Sequence, residues 1–330
     1  MLLNVSDLQT HFFTDDGVVK AADYVDLTVE KGEVLGLVGE SGCGKSTVAL
    51  SILRLIPKPG KIVGGRIEFL SQDLLDLSQR AMRKIRGNEI SMVFQDPTAS
   101  LNPVLSVGDQ IGEAIRIHQN VKKRKEINAR AVEILQKVGI SDPRDRLANY
   151  PHELSGGMQQ RVMIAIALSC QPKLLLADEP TSSLDVTIEA QILNLLRELQ
   201  QDLELSMIMI THDLGVIAEI SDRVTVMYAG QRVESATVTQ LFENPLHPYT
   251  QALLEAIPTT EHAVTTIETI PGKVPSLVNP GKRCLFSPRC EIATEVCKST
   301  LPESKRVEED HIVACHHQGG PDRSGGCHEE

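Results

Sequence analysis

The sequence predicts an α/β protein built on a parallel sheet, and three observations carry that prediction. The apolar run Val34-Leu-Gly-Leu-Val38 has the length and composition of a buried strand. It leads straight into a glycine-rich loop, after which Ser46 onward (Thr47-Val-Ala-Leu-Ser-Ile-Leu53) reads as a helix. A strand–helix–strand unit follows much later in the chain. Lys173–Asp178 and Ser206–Thr211 are buried strands, and the amphipathic stretch Val186–Leu203 between them is a helix, as a parallel sheet requires. Residues 96–165 read as largely helical, with Lys125–Val138 the clearest stretch.

The remaining elements follow in order. Residues 1 to about 90 are expected to be strand-rich, with one helix. Val224–Met227 is one further strand. Near residue 235 the texture changes: Pro245, Pro248, Pro258, Pro271, Pro275, Pro280, Pro288 and Pro302 punctuate what remains, and helix is expected mainly around Thr250–Ala256. A domain boundary is therefore placed near 235–245. No internal repeat stands out. The last dozen residues, Gly319–Glu330, are rich in Gly and polar residues and read as disordered.

Size and charge narrow the function classes. The 330 residues suffice for one large domain and a smaller one. The apolar fraction of 41% and the charged fraction of 23% are those of a globular chain. No apolar run approaches the roughly 18–20 residues that cross a bilayer. The N-terminus lacks the basic and apolar segments of a signal peptide, so a cytoplasmic location is expected. With 33 basic and 44 acidic residues the net charge is −11, which argues against nucleic acid as a partner. The basic run Lys122–Lys125 reads as a solvated helix end rather than a binding patch.

The loop Gly39-Glu40-Ser41-Gly42-Cys43-Gly44-Lys45-Ser46 fits G-x-x-x-x-G-K-[ST] in full. Such a loop wraps a triphosphate with backbone N–H groups. Lys45 adds a charge toward the β- and γ-phosphates, and Ser46 offers a hydroxyl to Mg²⁺. Cys43 fills a free position in a tight turn. Asp178 ends a buried strand and is suited to hold Mg²⁺ through water. Glu179 follows at once, points elsewhere, and can polarise an attacking water. A third element, Leu154-Ser155-Gly156-Gly157-Met158-Gln159, adds a second glycine-rich surface suited to phosphate.

With these elements the chain resembles the ATP-binding subunits of ABC transporters. The resemblance covers residues from about 1 to 235. It implies an ABC ATPase nucleotide-binding domain with a P-loop core, an antiparallel β region and a helical subdomain. It also implies two subunits meeting head to tail, so that Ser155, Gly156, Gly157 and Gln159 of one close on the ATP of the other. Residues 39–47, Thr47 included, become the ATP-binding candidates, and Glu179 the general base. Gln95, 50 residues after Lys45 and 60 before Ser155, matches the Q-loop as a Mg²⁺ ligand and γ-phosphate sensor. His212 matches the switch histidine. Ser182-Ser183-Leu184-Asp185 resembles the D-loop, with Ser183 where Ala is commoner. For adenine stacking, Phe12 and Phe13 are the candidates and Phe12 is preferred.

Two further stretches are similar to the peptide and nickel importers of that family: Asp96-Pro-Thr-Ala-Ser-Leu-Asn-Pro after the Q-loop, and Asn244–Pro258 with its His-Pro-Tyr-Thr. The match is best with the D-type ATPase subunit of dipeptide and oligopeptide permeases. His247 and Tyr249 are read as packing residues. The implied partners are two membrane permease subunits, a related second ATP-binding subunit forming a heterodimer, and indirectly an extracytoplasmic peptide-binding protein. The implied place is the cytoplasmic face of the membrane. Nickel or another solute stays open as cargo. A non-transport ABC ATPase of DNA repair or translation fits less well: the 110 residues from Lys45 to Ser155 leave no room for a long coiled coil, and the chain has one cassette.

Five of the seven cysteines crowd the last 47 residues. In a cytosolic chain that favours metal over disulfides. The spacing Cys284-x5-Cys290-x6-Cys297-x17-Cys315 is neither that of ferredoxins nor that of common zinc modules. Some peptide-permease ATPases carry a four-cysteine region of this kind that binds a [4Fe–4S] cluster, so the resemblance implies a small C-terminal Cys-rich metal-binding region. Four thiolates also fit a structural Zn²⁺, and His311, His316 and His317 leave a mixed zinc site open. Cys327, in the tip, is not expected to be a ligand. The expected organisation is residues 1–240 as the nucleotide-binding domain, 241–318 as the permease-type region and 319–330 as the tail. No tail residue belongs to the phosphate, signature or D-loop elements, so the two sites are expected to be independent.

Overall fold

The structure is a computed structural model that describes residues 1–182, 184–256 and 270–317. The expectations for Ser183, Pro258, Cys327 and the segment 319–330 lie outside the described residues. In chain order the first strands are β1 (Leu3–Thr14), β2 (Gly17–Val29) and β3 (Val34–Val38), followed by α1 (Lys45–Ile52), β4 (Gly60–Phe69) and β5 (Gln72–Asp73). Then come α2 (Gln79–Ile85), β6 (Ile90–Val93), α3 (Pro97–Ser100), α4 (Val107–His118), α5 (Arg124–Lys137), α6 (Pro143–Arg146) and a 3₁₀ turn (Pro151–Glu153). The second half runs α7 (Gly156–Leu168), β7 (Leu174–Asp178), α8 (Val186–Leu203), β8 (Ser206–Thr211), α9 (Leu214–Ile220), β9 (Arg223–Tyr228) and β10 (Gln231–Thr237). It ends with α10 (Val238–Glu243), α11 (Pro248–Glu255), α12 (Glu295–Ser299), β11 (Lys305–Glu308) and β12 (His311–Val313).

The chain divides into two compact units. One comprises residues 1–2, 29–34 and 70–210; the other comprises 3–28, 35–69 and 211 onward.

In the first unit β6, β7 and β8 form a parallel sheet, with Ile90 opposite Leu174 and Leu174 opposite Ser206. All residues of β7 and β8 are buried, so they read as continuous apolar runs rather than alternating ones. α8 connects these two strands. Its apolar positions Ile192, Leu193, Leu195, Leu196 and Leu199 are buried, and Asp185 caps its N-terminus. The stretch from 96 to 165 is largely helical, as expected, with α3 to α7 joined by short irregular turns. There α4, α5 and α7 pack on one another through Ile111, Ile115, Ala131, Ile134, Leu135 and Ile164. The basic run at 122–125 is exposed at the start of α5.

In the second unit β3 runs parallel to β9, and β9, β10, β12 and β11 continue as antiparallel neighbours. A separate antiparallel ribbon of β2, β1 and β4 has Leu3 opposite Phe69 and Phe12 opposite Gly60. The residues beyond 245 are stitched into this unit. β12 pairs with β10, and the segment 277–279 lies along β2, with Lys20 N–H donating to Leu277 O (3.0 Å) and Asn279 N–H to Val18 O (2.8 Å). A buried carboxylate fastens the same region. Glu234 on β10 accepts from the N–H groups of Leu246 (2.7 Å) and His247 (2.9 Å), and His311 Nε2 on β12 lies 2.8 Å from it. Glu234 and His311 are both fully buried, and such a group is stable inside only when its oxygens are satisfied. One helix was not anticipated in the first ninety residues: α2 is short and mostly polar, and buries only Met82.

Candidate functional site

The phosphate loop belongs to the second unit. Buried β3 ends at Val38, and the chain then turns through Gly39 (φ +150°) and Gly44 (φ +106°) before α1 begins at Lys45. A Cβ at Gly39 would stand 2.1 Å from Met227 O, and one at Gly44 would stand 2.0 Å from Ala21 O. No other residue fits either place. The Lys45 ammonium is buried and donates to Gly39 O (2.6 Å) and Glu40 O (3.2 Å), so it lies along the inside of its own loop. Ser41, Gly42 and Ser46 are exposed, and Thr47 is half-buried in the first turn of α1. Cys43 is buried, its carbonyl accepting from Gly230 N–H at 2.9 Å, and burial pushes its thiol up, so it serves as a small neutral packing group. Phe12 on β1 is half-buried against Gly60, while Phe13 is exposed with Lys61 Nζ 5.7 Å from its ring centre. His212 and Asp213 are exposed just past β8, and Asp213 caps α9.

The acidic pair and the signature belong to the first unit. Asp178 ends β7 with its side chain buried. Glu179 leaves the strand in the left-handed region (φ +44°), rare for a glutamate, and its N–H is held by Ile210 O at 2.8 Å. That turn is why consecutive carboxylates part, one buried and one half-buried. Gln95, exposed after β6, donates its side-chain amide to Glu179 Oε2 at 3.0 Å. The two residues lie 84 positions apart in the chain, and the fold brings their side chains together. Asp96 accepts from Thr98 N–H and hydroxyl (2.8 and 2.7 Å) to start α3, which holds its carboxyl below the usual range.

Ser155 caps α7, its hydroxyl accepting from Met158 N–H at 3.4 Å. Ser155 and Gly156 are exposed, so the start of a 13-residue helix faces outward. Gln159 turns the other way: its amide donates to Pro151 O (2.9 Å) and Leu154 O (3.2 Å) and braces the turn before the helix. In the D-loop, Ser182 donates to Glu179 O (3.2 Å), Leu184 N–H to Thr181 O (3.0 Å), and Asp185 caps α8 by accepting from Ile188 N–H (3.0 Å).

The tail makes a contact that the motifs did not announce. Arg289 places its guanidinium on the Glu40 carboxylate of the phosphate loop in a two-pronged pair, Nη1–Oε2 2.7 Å and Nη2–Oε1 3.1 Å. Tyr249 accepts the Glu40 N–H at its hydroxyl, 2.9 Å away. His247 Nδ1 accepts from Tyr249 N–H at 3.0 Å to start α11, and burial pushes its imidazole down to about 4, so the ring is neutral with its proton on Nε2. Tyr249 is a packing residue as expected, fully buried against Tyr228 and Phe286, and its hydroxyl also reaches the phosphate loop, so the tail touches a loop it was expected to stand apart from. The signal was present in the His-Pro-Tyr-Thr stretch, but its target, 209 residues away, was not.

The cysteines Cys284, Cys290, Cys297 and Cys315 line one pocket, with Phe286, Ile292, His316 and His317 beside them. Burial pushes the Cys315 thiol up to about 11, and the other three cysteines add to that rise. The described cysteines are all free thiols. Among the described residues no group of three or more His, Cys, Asp or Glu is arranged to hold a metal ion. The metal-binding character expected of this region is therefore not shown.

Comparison with known proteins agrees with the nucleotide motifs and with the tail. The ABC transporter family model matches residues 22–182, and the model for the oligopeptide/dipeptide transporter C-terminal region matches 233–297. The probable peptide ABC transporter ATP-binding protein y4tR of Sinorhizobium fredii is 52% identical over 96% of this chain and 94% of its own length. The oligopeptide transport ATP-binding protein AppD of Bacillus subtilis is 50% identical over 95% and 96%, and the dipeptide transport protein DppD of Escherichia coli 46% over 96% of each. Among solved structures, the dimeric cassette MJ0796 bound to ADP and Pi superposes with a TM-score of 0.65 at 27% identity, over 72% of this chain and 99% of that one. A glycine-lined phosphate loop, an acidic pair at the end of a buried strand, and a tail matched along with the cassette thus lead to one conclusion: the chain belongs to the ATP-binding subunits of ABC transporters, in the branch that carries the oligopeptide/dipeptide transporter C-terminal region.

Proposed function

We propose that this chain hydrolyses ATP to power the import of di- and oligopeptides through a membrane permease. Full-length identity of 46–52% to peptide-transport ATP-binding proteins supports the cargo class. The Gln95–Glu179 contact supports hydrolysis: the Gln95 amide donates to the carboxylate read as the general base, next in the chain to Asp178 at the end of its strand. In this reading residues 39–47 bind the phosphates, Phe12 stacks on adenine and His212 contacts the γ-phosphate. Ser155, Gly156 and Gly157 meet the nucleotide of a partner subunit, with Gln159 bracing the turn behind them and the D-loop residues Ser182 to Asp185 at the seam. The donors assigned to Mg²⁺ are a hydroxyl (Ser46), an amide oxygen (Gln95) and a carboxylate (Asp178), the hard oxygen set that this ion takes. Mg²⁺ would offset phosphate charge there, while Glu179 takes the proton of the attacking water.

The partners in this reading are two membrane subunits, a second ATP-binding subunit and, through them, a peptide-binding protein outside the membrane. No helix among the described residues is long and apolar enough to cross a membrane, which suits a peripheral subunit on the cytoplasmic face. The matched ranges 22–182 and 233–297 support a nucleotide-binding domain to about 240 and a permease-type region after it. Four soft sulfurs lining one pocket fit a [4Fe–4S] cluster, with structural zinc as the alternative. Peptide uptake by cells lacking this gene, restored by the wild type and not by Glu179→Gln, tests the function. Restored nickel uptake with no peptide uptake would move the cargo instead. The tail is tested by metal analysis and the visible spectrum of anaerobically purified protein. About four irons per chain and a brown colour are expected, lost on replacing any of the four cysteines by Ser and kept in Cys327→Ser. One zinc in a colourless protein would replace the cluster.

A further inference from the structure

We propose that Arg289, from the C-terminal region, is a positioning residue of the nucleotide site: it neutralises Glu40 and holds the second residue of the phosphate loop in place. The inference rests on the reading of residues 39–47 as the ATP site.

Arg289 differs from an ordinary surface ion pair. Its side chain is 3% exposed, against 27% for Glu40. All five of its N–H donors are engaged. Two go to the Glu40 carboxylate; the others reach Pro271 O (2.8 Å), Ile270 O (3.1 Å) and the Tyr228 hydroxyl (3.4 Å). A planar fork with five donors satisfies that set and an ammonium does not. The seat beneath it is aromatic: Tyr228, Tyr249 and Phe286 have ring centres 4.6 to 5.4 Å apart. Tyr249 in that seat takes the Glu40 N–H. Glu40 is therefore gripped at its backbone and at its carboxylate, both times by residues beyond position 245.

The grip has an electrostatic reason. The loop's task is to receive a polyanion, and Glu40 puts a negative charge into the loop beside Gly39, whose carbonyl holds Lys45. Left unpaired, that carboxylate would repel the phosphates and compete for Lys45. The Glu40 carboxylate in turn keeps the guanidinium firmly charged.

The test is a charge-removal cycle on the full chain, read as the Kd for MgATP and as the unfolding midpoint. Arg289→Met is expected to weaken MgATP at least about tenfold, or ~1.4 kcal/mol. Glu40→Gln added to it removes the stranded charge and is expected to restore affinity to within about threefold of Glu40→Gln alone. A merely structural Arg289 would give a double variant as weak as Arg289→Met, and that result overturns the proposal, as does wild-type affinity in Arg289→Met. Should Arg289→Met fail to fold, Arg289→Gln takes its place in the same cycle. It is expected to weaken MgATP about tenfold and to be rescued by Glu40→Gln, and wild-type affinity there overturns the proposal too. Lys45→Ala runs alongside. Loss of affinity in Lys45→Ala with none at Arg289 refutes only this inference, whereas unchanged affinity in Lys45→Ala refutes the ATP-site reading beneath it.

Discussion

The phosphate loop and the signature turn both use glycine to lead into a helix, and they are built in opposite ways. At Gly39 and Gly44 a side chain would strike backbone carbonyls at 2.1 and 2.0 Å, in conformations with positive φ. The fold of this chain alone demands those glycines. At Gly156 the nearest atom to an added Cβ is 4.0 Å away, and at Gly157 it would meet only the side chain of Ile188, at 2.9 Å. Neither position needs glycine for the chain's own backbone. The phosphate loop is closed on itself, with Lys45 bonded to its own carbonyls, while Ser155 and Gly156 face outward. The difference teaches which glycines this chain's own backbone requires and which it leaves free of that requirement.

The largest effect that sharpens this contrast is expected from Glu179→Gln. Losing a positioned base costs ~10²–10⁴ in rate, while MgATP should still bind. The protein should then accumulate as an ATP-bound dimer, measurable by light scattering after size exclusion, with the outward signature surface occupied at last. Turnover near the wild-type rate would remove Glu179 from its role.

Next comes the pair Lys45→Ala and Ser155→Arg. The first removes a charge-assisted contact worth ~1.5–3 kcal/mol, so MgATP affinity should fall by about tenfold to a hundredfold. The second should leave affinity in the isolated subunit within about twofold and abolish ATP-dependent dimerisation. Equal loss of binding in both would break the division between a self-contained surface and a shared one.

The smallest effect is on stability. Gly44→Ala should cost ~1–3 kcal/mol from backbone strain alone, and more if Ala21 must move. Gly156→Ala should stay within ~0.5 kcal/mol, because it sits exposed in the first turn of α7, where alanine is a good helix former. Its defect should appear in hydrolysis instead. Denaturant unfolding of both variants decides the matter: a Gly156→Ala protein as unstable as Gly44→Ala would show that the signature glycine serves the fold after all.

Much of the first unit was legible because its signals are local. β7, α8 and β8 are set by unbroken apolar runs and a 3.6-residue stripe, and α5 starts and ends within one residue of expectation. The glycines and acids of the site were legible because phosphate and Mg²⁺ chemistry fixes both residue type and spacing. α2 escaped because a seven-residue helix burying one methionine leaves no stripe; Ser78 as its cap was the only clue. β11 and β12 escaped for a different reason. β11 is exposed along its length, and β12 has three residues, so neither shows alternation, and both exist because β10 offers an edge. The Arg289–Glu40 pair is the extreme case: at a separation of 249 residues, nothing in either neighbourhood points to the other.

The edge pairing of β12 with β10 also sets an order of events during synthesis. By the time β10 leaves the ribosome, the motifs that bind and hydrolyse nucleotide have all been made, since domains form from the N-terminus onward. Yet the outer edge of β10 stays open, and Glu234 lacks His311, until residues 311–313 emerge. An uncovered strand edge invites pairing with another chain. The nascent cassette thus passes through an interval in which its motifs are complete and its sheet is not, and the C-terminal residues end that interval by capping the strand and filling the third position around a buried carboxylate.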